Sequence, residues 1–364
     1  MKKTHYLVHH RFHDNIAHLV EILQHHGFQT KLFVILKTNT ETYSLAEPII
    51  LPVSCLSGFW KKFVKRQLQS YLPSFRSVLR EYRKDKPEYV LLRPLVSGIG
   101  LIHFICALWY CKKIVLYSQS PKFRASNFKN DFILKLVLAF PKTVWMTPVL
   151  YRDPKYLKGE NSPHRKIQYV QLPHKRVEKK SVWFKDDRIN ILLVAKAQSY
   201  KNHKVLINAL ANLPLDANYH LSIAGDYSGN DGYTREIIEL LRLKEIKHEI
   251  LGYVAHDFIG DLYRAHDLLV LPSAYEMHGY AVNEAIAFGV PVVVSSNVGT
   301  ICLVENEKNG FVFESENEAE LTAILLHILS NRNQLKTMSL ACATIFEEKL
   351  SEEVFSQKYL KLLE

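Results

Sequence analysis

The sequence predicts two doubly wound α/β domains of similar size, and three observations carry that prediction. At 364 residues the chain has the length of about two domains. Short β-rich apolar runs alternate with helix-length amphipathic runs from end to end, the pattern of parallel sheets built from right-handed βαβ units. Charge divides the chain as well: residues 1–175 hold 28 basic and 10 acidic side chains, a net of +18, whereas residues 176–364 hold 19 and 26, a net of −7. A hydrophobic content of 48% with only 14 Gly and 14 Pro supplies two cores and excludes collagen-like, linker-like and disordered classes.

In the first half, strands are expected over Thr4–Val8, Thr30–Leu36, Glu88–Leu92, Ile114–Tyr117 and Thr143–Met146. Helices are expected between them over Asp14–His26, Trp60–Lys84 and Asn130–Phe140. In the second half the strands are Ile189–Val194, His220–Ala224, Glu249–Leu251, Leu268–Leu271, Val292–Ser295 and Phe311–Phe313. Pro94–Cys111 is 18 residues long and has no Lys, Arg, Asp or Glu. Its internal Pro94, Gly98, Gly100 and His103, with strand-like runs on both sides, predict a buried crossover helix rather than a membrane span. The polar segment Leu172–Arg188 separates the charge regimes and is the expected boundary, giving domains over 1–175 and 176–350 with a cleft between them. Residues 351–364 carry Val354, Phe355, Tyr359, Leu362 and Leu363 at helical spacing, a helix expected to pack back toward the first domain.

Five scattered cysteines, none in a CxxC or Cys/His cluster, argue against a disulfide framework or a structural metal and suit a reducing compartment. The N-terminus MKKTHYLVHHRFHD has no apolar run of the kind a secretory signal needs, so a cytoplasmic location is expected.

The densest chemical signal lies in residues 272–296, PSAYEMHGYAVNEAIAFGVPVVVSS. A buried strand ends at Pro272–Ser273, a loop carries Glu276, and Gly279 opens a helix that Gly289-Val290-Pro291 closes. A carboxylate at that strand edge lies where ligands bind in open α/β sheets. Free backbone N–H groups of Tyr280, Ala281 and Val282 would form an anion site at the helix N-terminus. Glu284 falls about one turn deeper, and two carboxylates beside a phosphate site suit the gripping of sugar hydroxyls.

This segment resembles the retaining GT-B glycosyltransferases of family 4. Glu276 and Glu284 have that family's E-x7-E spacing, and Glu284-Ala285-Ile286-Ala287-Phe288-Gly289-Val290-Pro291-Val292-Val293 completes its EAxAxGxPVV run. INILLVAKAQSYKN resembles the family's strand followed by GR…KG, with Ala195 for the Gly, Lys196 for the Arg and Lys201 at the matching spacing. HLSIAGDYSG resembles the xLxIxGxG segment and places Gly225 at a strand end; ILGYV resembles FLGxV and places Tyr253 and Val254. The resemblance implies two Rossmann-like domains facing a cleft and sugar transfer, with retention, from a UDP- or GDP-type nucleoside diphosphate sugar, with no cofactor and no metal.

It further implies that Lys196 and Lys201 meet the diphosphate and Glu276 orients the sugar. Glu284 would accept from the ribose, while Gly279, Tyr280, Ala281, Gly225 and Tyr253 line the donor site. The two lysines read also as solvated turn residues, and Tyr253 as plain packing. Lys offers charge but not the bidentate fork of Arg. A phosphate oxygen would take the acceptor's proton, so no enzyme nucleophile is needed.

Several positions depart from the family. Met277 and His278 stand in place of Gly-Phe after the first Glu; His278 either meets the sugar or caps the loop. SSNVGTICLVENEKNGF lacks the second Gly and the expected Glu, for which Glu305 is a substitute only by proximity. The Gly-Gly loop of the first strand is replaced by His9-His10-Arg11-Phe12-His13-Asp14-Asn15, read as an acceptor-facing polar loop rather than a metal site. Ser118 or Gln119 occupies the place of a His near the reaction centre, and neither is a general base at neutral pH.

GFWKKFVKRQLQ, residues 58–69, sets Trp60 and Phe63 among Lys61, Lys62, Lys65 and Arg66. That pattern reads either as an interfacial membrane helix or as a solvated face. No nucleic-acid motif accompanies the charge. The expected partners are therefore a nucleotide-sugar donor, a glycan or lipid-linked acceptor and the anionic inner face of the cytoplasmic membrane. The expected role is synthesis of bacterial surface polysaccharide, lipopolysaccharide or glycolipid. A non-catalytic GT-B-like nucleotide-sugar or glycan binding protein is the alternative. A PLP-dependent phosphorylase shares the fold, but no context for a cofactor lysine is visible.

Overall fold

A computed structural model describes residues 3–9, 14–35, 47–54, 71–93, 97–119, 135–148, 165–227 and 232–364. The chain divides into two compact units, Met1–Pro173 with Glu352–Glu364, and His174–Ser351.

The first unit holds β1 (Thr4–Val8), β2 (Gln29–Phe33), β3 (Tyr89–Leu92), β4 (Lys113–Tyr117), β5 (Thr143–Thr147) and β6 (Ile167–Tyr169). They form one parallel sheet in the order 2-1-3-4-5-6. Residues of β1, β3 and β5 are buried throughout, as expected of strands covered on both faces. The connecting helices are α1 (Asp14–His25), α2 (Phe75–Asp85) and α3 (Gly98–Tyr110), with residues 135–139 also helical. Tyr6, Phe33, Val78, Tyr82, Ile114 and Trp145 fill the core.

The expected helix Trp60–Lys84 does not hold over residues 71–74. There the chain is extended and paired, with Ser54 N donating to Leu72 O (2.8 Å) and Ser74 N to Pro52 O (2.7 Å). Pro73 is the reason, because it lacks an N–H and biases Leu72 away from helical geometry. Residues 58–69, the basic aromatic segment, lie outside the described residues. Strand β6 had no signal in the sequence; it is three residues long, too short to show a period. Within Pro94–Cys111 the helix is α3, whose Ser97 cap accepts from Gly100 N (3.1 Å). Among the described residues no helix is long and apolar enough to cross a membrane.

The second unit holds β7 (Ile189–Val194), β8 (Tyr219–Ala224), β9 (His248–Gly252), β10 (Leu268–Leu271), β11 (Val292–Ser295) and β12 (Gly310–Phe313), parallel in the order 12-11-10-7-8-9. Its helices are α4 (His203–Ala211), α5 (Gly232–Leu243), α6 (His256–Ala265), α7 (Tyr280–Ala287), α8 (Glu318–Ser330) and α9 (Gln334–Ile345). Leu192, Leu221, Ile223, Val270, Val293 and Ile286 are core residues.

The stretch after Pro173, polar in sequence, is packed on this unit rather than free. Lys180 Nζ lies 3.1 Å from Asp267 Oδ1, and both side chains are buried. Asp267 also accepts from the backbone N–H groups of Phe184 (3.1 Å) and Asn190 (2.9 Å). Burial pushes the Lys180 ammonium below its ordinary pKa, and the Asp267 charge opposes that shift. The two places where the chain leaves the unit are fastened together by His174 N to Leu350 O (2.9 Å) and a two-pronged Arg176–Glu347 pair (2.7 and 2.8 Å).

The final helix, α10 (Glu352–Leu363), belongs to the first unit. It is held there by His5 Nε2 with Tyr359 OH (2.9 Å) and His18 Nε2 with Glu352 Oε1 (2.7 Å).

Candidate active site

In the second sheet the chain runs β7, β8, β9 outward on one side, then resumes at β10 on the other side of β7. Strands β7 and β10 thus flank the point where strand order reverses, and ligands bind outside the carboxyl ends of such strands. Lys196 and Lys201 follow β7, Gly225 follows β8, Tyr253 follows β9 and Glu276 follows β10. Residues far apart in sequence are brought to one edge by strand pairing alone.

A 3-10 turn over Ser199–Lys201 carries Lys201, and Asn202 at φ 56° leads from it into α4. Asn stands where the family pattern has Gly, and Asn tolerates that left-handed geometry better than most side chains. Ala274 N donates to Tyr200 O (2.9 Å), which joins this turn to the loop after β10. Lys201 Nζ then forms an ion pair with Glu276 Oε2, the side chains being 15% and 16% exposed. Lys196 is exposed on the same edge.

The Glu276 loop is supported from the segment after β11. Glu276 N donates to Asn297 O (3.2 Å), and Gly299 N donates to Glu276 O (2.8 Å). A Cβ on Gly299 would stand 1.9 Å from Met277 O, so this departure from the family still needs a glycine there. Glu305 is engaged elsewhere, with Lys308 (3.0 Å) and Lys349 (3.4 Å). Those cations, the Lys308 hydrogen bond first, hold its carboxyl below the usual range. His278 is buried, with its ring edge-on to Tyr280 at 4.4 Å.

Gly279 precedes α7. Of the three N–H groups expected to be free there, Val282's goes to Gly279 O (2.9 Å) and Tyr280's to His278 O (3.0 Å). These two bonds close the first turn tightly. Glu284, on the next turn, accepts from Tyr263 OH (2.8 Å). That phenol is wholly buried, and burial followed by the Glu284 charge raises its pKa well above the ordinary value, so it stays a donor. Gly225 donates its N–H to Gly252 O (2.8 Å), and a Cβ there would stand 2.0 Å from Ala195 O. Tyr253 is 77% exposed, leaving its ring free to stack on a flat ligand.

Three residues were missed by sequence reasoning. Tyr263, which holds Glu284, gave no signal beyond an aromatic on a helix. Asn283 is 0% exposed and its side-chain amide has no hydrogen-bond partner among the described residues; a polar residue on the apolar face of α7 was the available signal. Arg93, at the carboxyl end of β3 in the first unit, stacks over Tyr117 (5.0 Å) and donates to Gln119. A charged residue ending an apolar strand was the sign of it. Of the histidine cluster, His9 is buried at the end of β1, and residues 10–13 lie outside the described residues.

The second unit is by geometry a doubly wound α/β domain with a paired cation and carboxylate, Lys201 and Glu276, at its switch point. The family model described as "Glycosyl transferases group 1" matches residues 174–341, which lie within this unit. An uncharacterized glycosyltransferase of Methanocaldococcus jannaschii is 35% identical over 135 residues, 36% of this chain and 33% of that protein. Mannosylfructose-phosphate synthase of Agrobacterium fabrum is 33% identical over 117 residues, 30% of this chain and 26% of that protein. The matched stretch thus spans a third or less of these relatives' length.

Among solved structures, a glycosyltransferase from Rickettsia africae superposes with a TM-score of 0.78 at 15% identity, covering 100% of this chain and 98% of that one. The Anabaena protein HepE, solved with UDP and glucose, gives 0.73 at 15% identity over 99% of each chain. The fold is that of the GT-B glycosyltransferases, with two Rossmann-like domains.

Proposed function

We propose that the chain is a retaining glycosyltransferase. It moves a sugar from a nucleoside diphosphate sugar of the UDP or GDP type to a glycan or lipid-linked acceptor, as in the synthesis of bacterial surface polysaccharide or glycolipid. The observation that carries this reading is the Lys201–Glu276 ion pair at the β7/β10 switch point, beside Lys196. HepE, with the same fold, was solved with UDP and with UDP-glucose, which supports a donor of that class.

Each member of the pair holds the other in place. An arriving diphosphate offers Lys201 a stronger anion, and Glu276 is released to accept hydrogen bonds from sugar hydroxyls. As the bond from the anomeric carbon to the diphosphate oxygen breaks, negative charge grows on the leaving group. Lys196, Lys201 and the α7 N-terminus stabilise it there. The acceptor hydroxyl attacks the same face, and its proton passes to a phosphate oxygen of the leaving diphosphate. Glu284, oriented by Tyr263, accepts from the ribose, Gly225 lines the donor site, and Tyr253 stacks on the base. The lysines do electrostatically what a divalent metal does elsewhere. The basic half of the chain binds the acceptor at the anionic inner face of the cytoplasmic membrane.

Thermal shift against a panel of UDP, GDP and their sugars tests the donor, because a true donor stabilises the fold by mass action. Release of nucleoside diphosphate from the stabilising sugar, measured with and without a strong chelator, tests turnover and metal. Activity should survive chelation; loss restored by magnesium or manganese would overturn the metal-free assignment. A donor that binds but never turns over would make the protein a nucleotide-sugar binder.

A further inference from the structure

We propose that the edge of the first unit where β4, β5 and β6 begin, together with Trp109 and Phe140, is a docking surface for an anionic lipid membrane. The proposal deepens the membrane reading above and places the contact on residues other than 58–69.

Strands β4, β5 and β6 open on basic residues. Lys112 and Lys113 lead into β4, Lys142 into β5, and Arg165 and Lys166 into β6. Backbone bonds set them side by side: Lys112 N to Glu88 O (2.7 Å), Ile114 N to Lys142 O (2.8 Å) and Trp145 N to Lys166 O (2.7 Å). Glu88 neutralises Lys112 at 2.7 Å, whereas Lys113, Lys142 and Arg165 form no ion pair among the described residues. Burial first, then the Arg165 and Lys113 charges, holds the Lys166 ammonium below its ordinary pKa. Among the described residues this edge carries more positive than negative charge.

Two helices end at the same edge. Lys142 Nζ donates to Leu108 O (3.1 Å) near the end of α3, and Lys166 Nζ to Leu138 O (2.7 Å) and Phe140 O (2.6 Å) at the end of the next helical segment. Trp109 is 66% exposed beside these lysines, and Phe140 is exposed with it. Up the outer face of α3, which has no charged side chain, Leu101 and Ile105 continue the spacing of Trp109, and Leu136 is 54% exposed on the neighbouring segment. A soluble polyanion would match the lysines but gives Trp109, Phe140 and Leu136 nothing. A lipid interface takes both, with aromatic rings at headgroup depth and ammonium groups at the anionic surface.

Co-sedimentation with phosphatidylcholine vesicles, with or without phosphatidylglycerol, tests the surface. Wild type should pellet with the anionic vesicles at low salt, release as salt rises and ignore the neutral ones. Lys112→Glu/Lys113→Glu/Arg165→Glu should lower partitioning by about 100-fold. Trp109→Ser should lower it by about tenfold, with thermal unfolding and UDP binding unchanged as the check on folding. Quenching of tryptophan fluorescence by brominated lipid should diminish in Trp109→Phe. If wild type does not pellet, both the surface and the membrane reading fall. If the triple variant still pellets while charge reversal at Lys61, Lys62, Lys65 and Arg66 abolishes it, this surface is wrong and the membrane reading stands. Equal loss of heparin and vesicle binding in the triple variant, with Trp109→Ser without effect, would assign the edge to a soluble polyanion.

Discussion

The two units share one architecture and use its two ends differently. In the second unit the chemistry gathers at the carboxyl end of the sheet, where Lys201 meets Glu276 and α7 presents its N-terminus. In the first, the conspicuous groups are the cations at the opposite strand edge and a set of neutral histidines sealed in the core: His5 against Tyr359, and His103 against Tyr82 (3.2 Å). A parallel sheet offers both ends to evolution, and charge decides which is used. The acidic half carries a small concentrated cationic site, while the +18 half sets part of its excess at the starts of β4, β5 and β6.

Acid should expose the largest difference. Burial holds the His5 and His103 pKa values down at about 3, from 6.5. In the second unit burial, then the Lys201 charge, holds His203 at about 4. The unfolded chain takes up protons below pH 6.5 and the folded one does not, so their contribution is complete above 6.5 and lost as pH falls. The slope reaches about 1.4 kcal/mol per pH unit for each histidine. The His203 share should level off near pH 4, whereas the first unit should go on losing stability toward pH 3. Urea titrations at falling pH, with pulsed hydrogen exchange to tell the units apart, check this; earlier acid melting of the second unit would reverse the comparison.

Within the second unit, Glu276→Gln should cut kcat by about 10²-fold, roughly 2.7 kcal/mol, and spare free nucleotide affinity. Glu284→Gln should instead weaken the nucleotide itself. Calorimetry with UDP or GDP beside steady-state kinetics separates the two, and equal effects on nucleotide binding would dissolve the division of roles. Lys201→Ala should weaken a nucleoside diphosphate by about tenfold while leaving the nucleoside unchanged. Equal weakening of both ligands would make Lys201 a structural partner of Glu276.

The smallest effect concerns Asn283. Replacing it with Leu removes a buried amide without partners among the described residues and should stabilise the second unit by about 1 kcal/mol, read as a rise in Tm. A fall in donor affinity without that rise would place Asn283 in the ligand site instead.

The second unit was the more legible of the two because its signals are local. Residues 272–296 hold strand end, carboxylate loop, helix N-terminus and closing glycine in one continuous run, so spacing alone reveals them. The first unit's features are assembled from single residues at separate strand ends, such as Arg93 with Gln119 or Lys113 with Lys142, and no window of sequence contains them. Pro73 stands within the expected helix Trp60–Lys84, and its missing N–H breaks the helix despite the amphipathic period around it.

The sequence by itself determined the alternation of strands and helices, the split in charge and the run from Glu276 to Val293 that resembles a known family, because each depends on neighbours within a turn or a strand. Only the tertiary structure decided that Lys201 pairs with Glu276, that the Val282 N–H is already taken, and that Gly225 must be glycine against Ala195 O. Those outcomes depend on which strands lie side by side and how closely their backbones pass. Strand order is set by burial of the whole sheet, and no local spacing encodes it.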